Sequence, residues 1–300
     1  MLLVTRDTSS TDPTTTRPPL SRHQTGTADP SLETLWRTAV RKYTACELTH
    51  YGDDRLAAIW GVAKIVRDHL RVDDTSEQYG VGLWTTRLDE QLAWKVVDYS
   101  KAERMKELNK WPSWSWASVR GEIETVVRFG AERRWRVGGF DGGVVRMNIQ
   151  PERGGDGDLE PVLGGKRLEV RGCAVPGVWK MIGCGLGGCG GGCGWTVDVD
   201  LDGMGGGFIG GAARLDVYPD VRPCGEMQCF LLILALGRPL GAHTKGGEDL
   251  EDGTGLILEL VYSEGEYKEY GRLGTFRVWG VDGDEFDAFC LRAVEDFYLA

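Results

Sequence analysis

Positive charge is what this sequence has too little of: 35 Lys and Arg stand against 45 Asp and Glu, for a formal net charge of −10. Binding a nucleic-acid backbone needs clustered cations, so the balance argues against a nucleic-acid partner. Histidine is also scarce, with only His23, His50, His69 and His243. None sits beside a nucleophile elbow or a local catalytic signature. His50 precedes a helix start and His69 lies near a helix end, where an imidazolium suits the dipole. No apolar run approaches the roughly 20 residues of a bilayer span, and Cys229 to Leu236 is of strand length. The opening Met1-Leu2-Leu3-Val4 is too short for a signal-peptide core, and Asp7 and Asp12 speak against a transit peptide. Eight cysteines without a secretory leader do not make a disulfide framework. The expectation is a cytoplasmic chain with no membrane partner.

Glycine, by contrast, is abundant at 44 residues, about twice the usual share. The runs Gly203 to Gly207 and Gly210-Gly211 lack the Lys-Ser/Thr of a phosphate loop and the strand-to-helix setting of a dinucleotide site, so no cofactor is expected. Cys184, Cys189 and Cys193 fall in a segment of almost nothing but Gly and Cys, inside a loop at about 183–211. Their spacing suits neither paired zinc knuckles nor a plant-type iron–sulfur site. A flexible low-complexity loop is the preferred reading and a metal site the alternative.

Residues 1–28 are rich in Thr, Ser, Pro and Arg and are expected to form a disordered tail. A helical subdomain follows over 29–110. Its first helix opens at Asp29-Pro30 and places Leu32, Leu35, Trp36, Ala39, Val40 and Tyr43 on one face. The second begins near Asp53-Asp54 with the stripe Leu56, Ile59, Trp60, Ala63, Val66 and Leu70, and a third opens at Thr86 with Asp89 as capping partner. Asp89-Glu90, like Asp53-Asp54, reads as a helix-end pair. Lys101 to Lys110 reads as a solvated helix or linker. Beyond Trp111 short runs of Val, Ile, Leu and aromatics alternate with Gly and Asp, giving a β-rich region over 111–300. The class is therefore α+β: an N-terminal helical subdomain packed on a Gly-rich, mainly antiparallel region.

The densest signal is Trp111-Pro112-Ser113-Trp114-Ser115-Trp116-Ala117-Ser118. Pro112 favours an extended Trp111, and strand alternation then puts Trp114 and Trp116 on one face. Two indoles bury roughly 150–250 Å² each. A buried seam between layers is the preferred reading; an exposed platform for stacking a sugar or base is the alternative.

Together with Tyr43-Thr44-Ala45-Cys46-Glu47-Leu48-Thr49, Asp53-Asp54-Arg55-Leu56-Ala57-Ala58-Ile59-Trp60-Gly61, Tyr79-Gly80-Val81-Gly82-Leu83-Trp84 and Leu92-Ala93-Trp94, this motif resembles the downstream half of fungal heterokaryon-incompatibility (HET) domain proteins. The resemblance runs from about residue 31 to the last strands, including Tyr270-Gly271-Arg272-Leu273-Gly274-Thr275-Phe276. The family's upstream core strings, "ALSYCWG"-like and "WIDALCINQ"-like, do not occur. The resemblance therefore implies a truncated or degenerate, non-catalytic regulatory or interaction region, with no catalytic or cofactor residues. It implies a role in nonself recognition and programmed cell death, and a protein partner such as an intact HET core. Asp54, Arg55, Trp84, Trp111, Trp114 and Trp116 are its expected structural or interaction residues. An enzyme using a Cys or carboxylate in the β-rich half is the alternative.

Overall fold

The structure, a computed structural model, describes residues 30–46, 51–70, 79–84, 88–98, 101–105, 111–125, 134–135, 144–147, 167–181, 195–198, 210–215, 226–237, 250–282 and 293–300. The expected tail at 1–28 and Cys184, Cys189 and Cys193 lie outside these residues. The class is mixed α+β: three helices precede most of the strands.

Helix α1 (Pro30–Thr44) and helix α2 (Tyr51–Leu70) bury Trp36, Val40, Leu56, Ile59, Ala63 and Val66. Leu35, expected on the buried face of α1, is instead 46% exposed. Its position one residue before Trp36 turns it about 100° away from the bulkier ring, which takes the core side. The described part of the expected third helix is α3 (Leu88–Leu92), while Thr86 lies outside the described residues. The chain has left the helix by Lys95–Val96, which form a strand.

Around α3 lie short strands: β1 (Tyr79–Gly80), β2 (Leu83–Trp84), β3 (Lys95–Val96), β4 (Glu103–Arg104), β5 (Val119–Arg120) and β6 (Ile123–Glu124). β4 falls where a solvated helix or linker was expected. The pairs β3–β6 and β4–β5 are antiparallel and nested, so the Trp-rich segment is carried at their closed end.

The large sheet comprises β7 (Arg134–Trp135), β8 (Val144–Met147), β9 (Leu168–Gly172), β10 (Ala174–Met181), β11 (Trp195–Asp198), β12 (Gly210–Leu215), β13 (Glu226–Gly237), β14 (Leu250–Glu264), β15 (Tyr267–Asp282) and β16 (Glu295–Leu299). Among the described residues all pairings of this sheet are antiparallel except β15–β16, so the sheet is mixed. The strands β10, β13, β14, β15, β12 and β11 pair in a ring, closed by the single register pair Trp195↔Ala213. The first part of β15 leaves the ring and pairs with β16, which continues to β9 and β8. Among the described residues no helix is long and apolar enough to cross a membrane.

Alternation along the central strands serves two interiors. Leu232, Leu234, Leu256, Leu258, Tyr270 and Phe297 join one core with the helices and the Trp-rich segment, while Leu231, Ile233, Ile257 and Phe276 are buried outside that cluster. Gly255 lets β14 pass beneath Phe276: a Cβ there would stand 2.1 Å from the Leu232 carbonyl oxygen and 2.7 Å from the Phe276 ring. Gly255→Ala is expected to cost about 3 kcal/mol, the upper part of the range for overpacking, read as a lower urea midpoint with an unchanged slope.

Candidate functional site

The Trp-rich segment is a tight turn, which corrects the expected strand. Ser115 explains it: its hydroxyl accepts from the Ala117 amide at 3.0 Å and donates to the Val81 carbonyl at 2.6 Å, capping a 3-10 turn over Trp116–Ser118. Side-chain capping of this kind competes with strand pairing. Trp114 and Trp116 are 0% and 1% exposed, so neither offers a ring for stacking. Trp111 is also buried.

Trp116 is set against the β1–β2 turn. Its Nε1 donates to the Gly82 carbonyl at 2.8 Å, and a Cβ on Gly82 (φ +88°) would lie 2.7 Å from the indole. Val81 precedes it at φ 50°, a conformation costly for a β-branched residue. Two successive positive φ values match the twist of a two-residue hairpin turn. The Ser115 and Trp116 bonds to its two carbonyls hold Val81 in that conformation.

Two buried guanidinium groups flank the turn. Arg55, on α2, is 1% exposed; it donates to the Trp116 and Val119 carbonyls and lies 5.5 Å from the Trp116 ring centroid. Tyr43 of α1 donates to the Arg55 carbonyl at 2.6 Å, tying both helices to the same point. Arg272, on β15, donates to the Leu92 and Trp94 carbonyls, with its Cζ 3.5 Å from the Trp94 ring centroid. Trp94 Nε1 in turn donates to the Trp114 carbonyl at 2.8 Å. Stacking plus charge-assisted bonds to carbonyls suits Arg and not Lys.

A third guanidinium completes the join. Arg104 donates to the Arg272 carbonyl at 2.9 Å and reaches the Ser113 carbonyl and the Ser118 hydroxyl. Ser113 Oγ accepts from the Arg272 amide at 2.8 Å and donates to the Ala300 carbonyl, whose own amide donates to Tyr270. Buried Glu90 stands in the first turn of α3, as expected, and also pairs with Arg37 of α1 at 3.2 Å.

Trp84 belongs to a neighbouring aromatic cluster. Tyr79 lies 4.9 Å from Trp84, 5.4 Å from Trp60 and 5.6 Å from Trp36, centroid to centroid. Gln91 acts as a strand for Trp84, donating to its carbonyl and accepting from its amide, both at 2.9 Å. The Tyr79 hydroxyl and Trp84 Nε1 are buried with no hydrogen-bond partner among the described residues. Burial pushes the Tyr79 phenol well above its ordinary value. Burial, then the nearby Glu295 carboxylate, does the same to Tyr270.

Thus Arg55, Trp114 and Trp116 meet at one junction, and Trp84 lies in the adjoining cluster. Asp54 stands in the first turn of α2, with its side chain outside the described part. Arg272, Arg104 and Ser113 were missed as junction residues. The signal for Arg272 was its place in the late-strand string Tyr270-Gly271-Arg272-Leu273-Gly274-Thr275-Phe276, which was given no role of its own. Among the described residues no group of three or more His, Cys, Asp or Glu converges as a metal site would. Compared with known proteins, the chain matches no family model, no curated protein and no solved structure.

Two outcomes are expected. Trp114→Ala lowers stability by about 3–5 kcal/mol, measured by denaturant unfolding. Tyr79→Phe is neutral or stabilising by up to about 1 kcal/mol at pH 7, since it removes an unpartnered buried hydroxyl. The raised phenol value also sets a sign: stability from neutral Tyr79 is whole below about pH 10 and declines as pH rises beyond it. Tyr79→Phe therefore shows a shallower loss between pH 9 and 11 in the same assay, those limits being about one unit either side of the free phenol value.

Proposed function

We propose that this chain is the non-catalytic regulatory or interaction region of a HET-like protein, acting in the cytoplasm in fungal self/nonself recognition and cell death. In this reading residues 29–110 form a helical subdomain seated on a Gly-rich β region over 111–300, and the chain docks onto an intact HET core carried by another protein. One observation carries the reading: the side chains of the Trp-rich motif are consumed in packing. Trp94, Trp114, Trp116, Arg55 and Arg272 are buried and bonded within the chain or packed on one another. The outward face of α2 contrasts with them, since Ala57, Ala58, Gly61 and Ile65 are exposed and a Cβ on Gly61 would meet open space. The small residues of this face, with exposed Asp68 at its end, leave room for close approach by a partner.

The test is expression of the full chain in a fungal host lacking other HET proteins, scored for viability and NAD content. No killing and no NAD loss are expected; either one would transfer the activity to this chain. Ile65→Glu, at a site 53% exposed, is expected to change stability by less than about 0.5 kcal/mol while weakening co-purification with an intact HET core. Unchanged co-purification would remove α2 from the interface.

A further inference from the structure

The β14–β15 hairpin runs on beyond its neighbours. β13 pairs with β14 only between Asp252 and Leu258, so from Glu259 to Glu264 the outer edge of β14 has no strand beside it among the described residues. Every residue from Glu259 to Glu266 is exposed, so among the described residues nothing covers this edge. Leu260, Val261 and Tyr262 are 44%, 58% and 48% exposed in succession. An open edge with apolar side chains is a template for another strand, and proteins ordinarily cover or charge such edges.

The charge here is of one sign. Glu259, Glu264 and Glu266 form no ion pair among the described residues, while the nearby cations are already engaged: Lys268 with Glu295, and Arg167 with Glu269. The Tyr262 hydroxyl donates to Glu264, fixing an aromatic ring beside a carboxylate. That combination suits a cation, which gains from both the ring face and the charge.

We propose that this edge receives an extended segment of a partner protein as an added antiparallel strand, with Lys or Arg opposite Glu259 and Glu264 and uncharged β-forming residues between them. A second copy of this chain is the poorer occupant. Antiparallel self-pairing centred on Val261 sets Glu259 of each copy opposite Ser263 and next to Glu264 of the other, so a second copy brings no cation and only like charge to this edge. The register shift between Leu260 and Tyr262 bends the edge, so backbone pairing alone is a weak guide and the flanking charges supply the selection. The inference deepens the interaction reading above and rests on it only for the existence of a protein partner. It concerns a different surface from α2, so the two fail separately.

The experiment uses the full chain and three fluorescent eight-residue peptides of alternating Thr and Val. One carries two lysines five positions apart, the second has glutamates in their place, and the third is the lysine peptide with a central proline. The lysine peptide is expected to bind, with affinity falling as salt rises; the glutamate and proline peptides are not. The double variant E259K/E264K should weaken binding by about fivefold or more, from the loss of two cross-strand charge pairs, with an unchanged melting curve. Reversal of exposed Glu169 on β9 should leave binding as it was. Equal binding of the glutamate or proline peptide, indifference to E259K/E264K, or no binding at about 1 mM would each overturn the proposal. So would a concentration-dependent dimer that E259K/E264K changes, which would assign the edge to a second copy.

Discussion

One guanidinium group holds the helical and sheet parts of this protein in register. Arg272 leaves β15 with its plane against the Trp94 ring and its donors on the Leu92 and Trp94 carbonyls. Those carbonyls stand at and just beyond the end of a helix too short to satisfy them itself, so the buried cation and the buried end of α3 answer each other's need. Removing the cation alone would leave peptide oxygens dry and unbonded, which is why such a join tolerates little change. Arg55 repeats the device from α2 against the Trp116 and Val119 carbonyls. The Trp-rich turn is thus gripped from both sides by charge, with its indoles as the apolar filling.

Much of this was legible in the sequence, and the limits are physical. The helical stripes of α1 and α2 and most long strands follow from hydrophobic period, since burial acts on side chains several residues apart in a fixed rhythm. Burial of Trp114 and Trp116 follows from the cost of wetting two indoles. The conformation of their segment does not follow, because Ser115 offered the backbone a cap that simple alternation ignores. Arg272 escaped for a related reason. A buried cation is decided by distant carbonyls that no local window contains. Glu90 was placed correctly in the first turn of a helix, but its partner on α1, Arg37, lies 53 residues away and outside any local window.

The ring of six strands and the three-strand extension through β16, β9 and β8 divide β15 between two tasks. Its later half closes the ring against β12, and its earlier half meets β16 and supplies Tyr270 and Arg272 to the shared core. The strand can serve both because a register shift separates the ring-side pairs from the junction-side pairs near Leu258 and Arg272. Bulges commonly re-aim a side chain at such points.

The Arg272–Trp94 bond spans 178 residues of chain. A ribosome adding about 5–20 residues per second leaves on the order of 10–40 s between the emergence of Trp94 and the arrival of its partner. Through that interval Trp94, Trp114 and Trp116 wait without the cation and the strand that later seal them. The helical half is therefore born with its most adhesive surface uncovered. Its yield in a cell depends on how well that surface is shielded until β15 is made.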